Sequence, residues 1–177
     1  MEHQQKTYRL FFALWPSDQV RRSIGEVLSR LPSKIKGRAI QTHNLHETLH
    51  FIGQVTESTK ECMHTAAQSI NAEAFQLSLD HFGYFSRAKI FWMGSQNIPE
   101  QLTRLQRELG CAIAECGFNV ESRTYTPHIT LMRKCRQVET DQIRFSIPWR
   151  VDEFVLVESI TYQEGVKYQV LEKYPLT

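Results

Sequence analysis

Two tetrapeptides in this 177-residue chain repeat one pattern of reactive side chains: His46-Glu47-Thr48-Leu49 and His128-Ile129-Thr130-Leu131. In a strand, residues two apart share a face. Each tetrapeptide would therefore set an imidazole beside a hydroxyl and turn Leu49 or Leu131 toward a core. With seven histidines in the chain, two copies of H-x-T-L would arise by chance in roughly one sequence in a thousand at average Thr and Leu usage. One copy is unremarkable; two call for a shared purpose. The chemistry such a pair suits is in-line displacement at phosphorus. A neutral imidazole takes the proton of an attacking oxygen, and a protonated one gives a proton to the leaving oxygen. Nitrogens flanking a phosphate in this way would stand roughly 6–9 Å apart. The two hydroxyls can donate to the non-bridging oxygens, so neither a metal nor a cofactor is required. The pattern does not say which histidine is the acid and which the base.

These residues must be held by the elements around them. After Ser17, a suitable N-cap, Val20, Ile24, Val27, Leu28 and Leu31 form one helical stripe. Ser58 and Glu61 make a capping box ahead of Met63, Ala66, Ala67 and Ile70. Asn97 and Pro99 open a third helix with Leu102, Leu105, Leu109, Ile113 and Cys116 on one face, and Gly117 sits where a left-handed C-terminal residue is expected. Strands are expected over 8–15, 45–52 (ending at Gly53), 127–132, 143–149, 151–160 and 167–171, with 75–85 and 88–93 as a hairpin. Strands interleaved with three helices indicate an α+β fold. A faint repeat also shows. Strand 8–15, helix 17–31, a short strand near 38–42 and strand 45–52 recur as 88–93, 97–116, a short strand near 118–122, and 127–132. The last strand of each set carries the tetrapeptide.

Composition narrows the class. The chain is 41% hydrophobic with a formal charge of +2, a globular balance that excludes a strongly basic coat or tail but leaves room for a local anion site. No apolar run approaches a membrane span and the opening stretch MEHQQKTYRL is polar, so neither a membrane nor a secretory signal is expected. Nothing divides residues 1–177, which read as a single domain, and nothing requires more than a monomer. Cys62, Cys111, Cys116 and Cys135 form no C-x-x-C pair and read as reduced thiols of a cytoplasmic protein. His43, His46 and His50 invite a zinc reading, but that would leave Thr48 and the second tetrapeptide without a role. His50 shares strand parity with His46 and Thr48, which makes it either a bystander at a cleft rim or a substrate contact. Phe11, Ala13 and Trp15 share one face of the first strand, which either packs into the core or lines the cleft, where Phe11 could offer a ring for base stacking. Trp92 and Trp149 read as core.

The chain resembles the two-histidine phosphoesterases, most closely the bacterial and archaeal RNA 2′,3′-cyclic phosphodiesterases, also called 2′-5′ RNA ligases. The resemblance rests on Arg9-Leu-Phe-Phe-Ala13, on Asn44-Leu-His-Glu-Thr-Leu-His-Phe-Ile-Gly53, on Arg87-Ala-Lys-Ile-Phe-Trp-Met-Gly94 and on Thr126-Pro-His-Ile-Thr-Leu-Met-Arg133. It implies two pseudo-symmetric lobes with antiparallel sheets around a central cleft. It implies opening of a terminal 2′,3′-cyclic phosphate to a 2′-phosphate, and in some members reversible 2′-5′ joining of tRNA halves. By resemblance His46 maps to the proton donor and His128 to the proton acceptor. Arg133 matches an arginine that follows the second signature in close relatives. Strict alternation would turn it away from His128, so either the strand bends or bulges there to bring it to the phosphate, or Arg133 acts through the structure. Lys134 and Arg136 add positive charge nearby. The expected partner is an RNA end bearing a 2′,3′-cyclic phosphate. A small cyclic-phosphate nucleotide or an ADP-ribose derivative is the alternative substrate. A non-enzymatic RNA-binding module is the alternative function, although a degenerate member would be expected to have lost a His or Thr.

Overall fold

The computed structural model describes residues 6–32, 35–136 and 139–177; residues 1–5 of the polar opening stretch fall outside it. The chain runs β1 (Thr7–Leu14), α1 (Asp18–Leu28), β2 (Arg38–Ala39), a 3₁₀ turn (Thr42–Asn44), β3 (Glu47–Thr56) and α2 (Glu57–Gln68). It continues through β4 (Phe75–Leu79), β5 (His81–Phe85), β6 (Ile90–Gly94) and α3 (Glu100–Ala114) to β7 (Ile129–Arg133), β8 (Ile147–Val151), β9 (Glu153–Tyr162) and β10 (Gly165–Pro175). The fold is α+β and all strand pairings are antiparallel among the described residues.

One sheet runs β10-β9-β1-β3-β7-β6-β5, with β2 on the outer part of β7, and β4 pairs β8 separately. The long sheet is two sheets joined at a seam, because β3 and β7 share a single residue pair, Glu47 opposite Ile129. On one side of the seam, α2 and α3 pack together and against β3. On the other, α1 packs against β8. Helix α3 thus follows a strand of the second lobe but covers the first, and α1 does the converse.

The helix stripes bury as their periodicity requires: Val20, Ile24 and Val27 of α1, Met63 and Ala67 of α2, and Leu102, Leu105, Leu109 and Ile113 of α3. Each fully buried aliphatic side chain contributes about 1.5–3 kcal/mol. Strand β1 is buried on both faces. Leu10, Phe12 and Leu14 join the main core, while Phe11 and Ala13 meet Val155 and Val157 of β9 in a smaller cluster on the other face. Trp149 is core as expected.

Several boundaries differ from the sequence reading. Helix α2 is capped by Thr56, whose hydroxyl accepts from the Thr59 N–H, and not by a Ser58–Glu61 box; both of those residues lie inside the helix. The stretch 75–85 is two strands in different sheets. Asp80 separates them, its carboxylate accepting from the Gln96 N–H and its own N–H donating to Gly94. Residues 118–122 form no strand, so the internal repeat is incomplete there. Strand β3 runs through Gly53 to Thr56. Gly117 does take the left-handed conformation, φ +85°.

The cysteines are also corrected. Cys62 of α2 and Cys116 beyond α3 form a disulfide across 54 residues, leaving Cys111 exposed and Cys135 buried as free thiols. The pairing follows from the packing of α2 on α3, which no local spacing encodes. Among the described residues, no helix is long and apolar enough to cross a membrane.

Candidate active site

His46 and His128 each stand one residue before a strand, at the two ends of the Glu47–Ile129 pair. The seam therefore brings the two motifs together, and the two imidazoles are near enough for the charge of His128 to act on His46. They are held alike. His46 Nδ1 lies 2.7 Å from the Asn44 carbonyl, and His128 Nδ1 lies 2.8 Å from the Thr126 carbonyl. A carbonyl only accepts, so both Nδ1 atoms carry hydrogen. In each neutral ring Nε2 is then the free base, and in each charged ring Nε2–H is the free donor. The segment before His46 is fixed twice more. Arg21 of α1 donates to the Leu45 carbonyl at 3.1 Å, and the Asn44 amide donates to the Val166 carbonyl at 3.1 Å.

A bulge at the leucine of each motif sets the direction of the side chains beyond it. On β3, Thr48 pairs with Ala13 but His50 pairs with Phe12, so Leu49 is the extra residue and His50 turns to the opposite face from Thr48. His50 is 5% exposed, its Nε2 bonds the Gln106 carbonyl of α3 at 2.7 Å, and its ring meets Phe118. The expectation that His50 reaches substrate fails for this reason. Gly110 makes room for it, since a Cβ there would lie 3.0 Å from the imidazole. His50→Ala should therefore cost stability, on the order of 2–3 kcal/mol from the cavity and the lost bond. Turnover per folded molecule should fall less than about tenfold. Calorimetry alongside kinetics separates the two, and a larger kinetic loss in a stable variant would contradict this placement.

On β7 the same device has the opposite outcome. Thr130 pairs with Trp92 and Arg133 with Ile90, so Leu131 is the extra residue and Arg133 shares the face of Thr130. The bulge that the sequence reading required is present. Arg133 lines an open cavity of about 230 Å³ together with His46, Thr130, Arg38, Asn44 and Tyr168. Its charge bears on both His46 and His128. Arg38 and Tyr168 fall outside the sequence motifs: β2 lies shortly before the first motif but carries no pattern of its own, and β10 is far from both motifs in sequence.

Aromatic rings brace both histidines. Phe11, Trp15 and Tyr168 surround His46 at centroid distances of 4.7, 5.8 and 5.1 Å. Phe85 and Trp92 flank His128 at 5.0 and 5.9 Å. Phe11 is 3% exposed, so of its two readings packing holds: its ring supports His46 and is not open to a stacked base. Trp92 is half-buried against His128 and is not plain core. Burial among these rings pushes the His46 pKa down to about 4, and the charge of Arg133 adds to the shift. Burial likewise lowers His128, with Arg133 acting in the same direction. Charging His46 in the free protein is harder than in water by about 3 kcal/mol.

Glu47 lies behind the histidines, 1% exposed, with the Tyr125 hydroxyl donating to it at 3.4 Å. Burial raises its pKa to about 8, so it is neutral at pH 7. The counterpart across the seam is Ile129. His43 is exposed and apart from His50, and no group of three or more His, Cys, Asp or Glu able to hold a metal occurs among the described residues.

The comparisons with known proteins agree with one another. A family model described as the 2′-5′ RNA ligase superfamily matches residues 16–162. An Escherichia coli K12 protein named RNA 2′,3′-cyclic phosphodiesterase is 30% identical over 170 residues, covering 96% of this chain and 97% of that protein. The crystal structure of E. coli LigT complexed with 3′-AMP superposes with a TM-score of 0.90 at 29% identity, covering 97% and 99% of the two chains. The crystal structure of TT0787 from Thermus thermophilus gives a TM-score of 0.81 at 26% identity, covering 95% and 97%.

Proposed function

Since the chain belongs to the 2′-5′ RNA ligase superfamily, we propose that it is an RNA 2′,3′-cyclic phosphodiesterase working by acid–base catalysis between His46 and His128. The observation that carries this reading is the matched tethering of the two imidazoles, which leaves one Nε2 of each motif free. Water attacks the phosphorus of the cyclic ester while Nε2 of neutral His128 accepts its proton. The bond from phosphorus to the 3′ oxygen breaks, and Nε2–H of protonated His46 supplies the proton to that oxygen. The product ends in a 2′-phosphate and a 3′-hydroxyl. Thr48 and Thr130 donate to the non-bridging oxygens, and Arg133 offsets the charge that builds there. Neither step calls for a cofactor. A 5′-hydroxyl in place of water would give 2′-5′ joining by the same proton transfers. Both motifs come from one chain, so a monomer suffices. The RNA ends it acts on are cytoplasmic, where the Cys62–Cys116 bond would face a reducing environment.

The low pKa of His46 and its role as the acid are reconciled by the substrate. A phosphate anion about 4 Å away stabilises the imidazolium by about 4 kcal/mol at an effective dielectric of 20. That offsets the cost of charging His46. The decisive assay incubates the protein with an oligonucleotide ending in a 2′,3′-cyclic phosphate in excess chelator and identifies the product end. A 2′-phosphate is expected. A 3′-phosphate, or activity only on restoring zinc or manganese, would refute the mechanism.

The pH profile is set by the same shifts. kcat/KM reports the free enzyme, whose two histidines both titrate below 6.5. It should therefore fall as pH rises through the range below neutrality, when the acid loses its proton. kcat reports the complex, in which the phosphate raises both values, so its optimum should lie at higher pH. Coincident optima at or above about pH 7.5 would contradict this assignment.

A further inference from the structure

A formal charge of +2 leaves room for a local basic site. On the short β2–β7 ladder, Arg38 stands directly opposite Arg133. Like charges facing each other across a strand pair are destabilising unless something lies between them. Among the described residues, neither guanidinium has a carboxylate within ion-pair distance. Both line the cavity that holds His46 and Thr130, where Glu164 is the sole carboxylate.

The charge continues outward along the same edge. Lys36 precedes β2, Lys134 follows β7, and Arg87 and Lys89 sit in the β5–β6 turn; all four are exposed. Lys89 and Lys134 both hold left-handed backbone, φ 54° and 52°. Such strain costs about 1–3 kcal/mol per residue and collects at functional sites. The two strained turns are tied to one another, since the Cys135 N–H donates to the Lys89 carbonyl at 3.1 Å. The Tyr84 hydroxyl donates to the Cys135 carbonyl at 2.7 Å. The backbone of this edge is thus braced, and its exposed cations lie on the strands and turns beside the phosphate cavity.

We infer that Arg38, facing Arg133, forms a second phosphate site for the phosphodiester preceding the cyclic end, and that the basic edge beyond it carries the upstream RNA strand. The inference rests on the cyclic-phosphodiesterase reading and names its substrate as an oligonucleotide. Arg133 serves the terminal phosphate and Arg38 the next one. Arginine suits both places, being permanently charged and able to hold a phosphate through two N–H groups. A cyclic mononucleotide would leave Arg38 and the lysines without a partner.

The test compares adenosine 2′,3′-cyclic phosphate with the dinucleotide and tetranucleotide that end in the same group. In the unsubstituted protein kcat/KM should rise at least tenfold from one nucleotide to two. In Arg38→Gln the ratio of dinucleotide to mononucleotide should fall about tenfold, equivalent to about 1.4 kcal/mol. Arg104→Gln, on the exposed face of α3, should keep the ratio.

Binding of the corresponding 2′-phosphate products is measured by calorimetry at several salt concentrations. The slope of log affinity against log salt should fall by about 0.7 when one phosphate contact is lost from a single strand. An equal loss on mononucleotide and dinucleotide in Arg38→Gln would mean both arginines grip one phosphate and would overturn the inference. So would a kcat/KM independent of length. If no substrate is hydrolysed, length-dependent and Arg38-dependent binding upholds the second site while the reaction reading falls. Binding that depends on neither refutes the site itself.

Discussion

His46→Ala and His128→Ala should each lower turnover of a cyclic-phosphate oligonucleotide by roughly 10²–10⁴-fold, the range for losing a general acid or base. The double variant should be barely worse than either single one, because acid and base serve one displacement and act as a unit. Thr48→Ala and Thr130→Ala should cost less, since each removes one neutral donor while its counterpart remains. All four side chains are half-buried beside an open cleft, so truncation opens no large core cavity and the proteins should stay folded. The division of roles adds a directional expectation. Removal of the acid should be most harmful with a leaving group of high pKa, and a substrate with an activated leaving group should recover much of the loss in one variant only. Single-turnover kinetics on two such esters would test this. Equal recovery in both variants would contradict the division of roles, and multiplicative losses in the double variant would contradict a coupled pair.

Glu47→Gln should change how stability depends on pH. The folded chain keeps the Glu47 proton up to about pH 8, whereas an exposed glutamic acid loses it near 4.5. Its contribution to stability is therefore complete below about pH 4.5 and is lost progressively as pH rises through 8. Each unit across that window costs up to about 1.4 kcal/mol, so the total is on the order of 3–5 kcal/mol. Glutamine is neutral throughout and still accepts the Tyr125 hydrogen bond. Urea unfolding midpoints should be similar for the two proteins near pH 4.5, with the variant clearly more stable at pH 8.5. Parallel curves across the whole range would mean that Glu47 is ionised in the folded chain.

The motifs, the three helices and the α+β class were legible because each rests on short-range spacing. Val20, Ile24 and Val27 could be read as one face without knowing what they pack against. The errors arose where strict alternation was extended across a bulge. Counting in twos from His46 puts His50 on the cleft face, and the same count turns Arg133 away from His128; one inserted residue in each strand reverses both results. Leucine at the bulge gives no local sign of it, since Leu49 and Leu131 are buried either way. Other features were beyond reach because they depend on which elements meet. Tyr168 reaches His46 only through the β10-β9-β1 order. Arg38 enters the cavity only because β2 leaves its own lobe to pair with β7. The Cys62–Cys116 bond exists only because α3 crosses to lie on α2. Alternation places Phe11 on its face, but only the neighbours that cover it decide between packing and an open ring.

The single residue pair that joins the two sheets has a kinematic consequence. Glu47 and Ile129 are the only points at which β3 and β7 are paired among the described residues, so this seam is the natural axis for rotation of one lobe against the other. Displacement in a rotation grows with distance from its axis. His46 and His128 adjoin the axis and barely separate as the lobes swing. A cleft hinged in this way can gape to admit a bulky polymer or release a product while its two proton-transfer groups hold nearly constant spacing. Opening on the μs–ms timescale of domain motion would then leave the reacting geometry almost undisturbed.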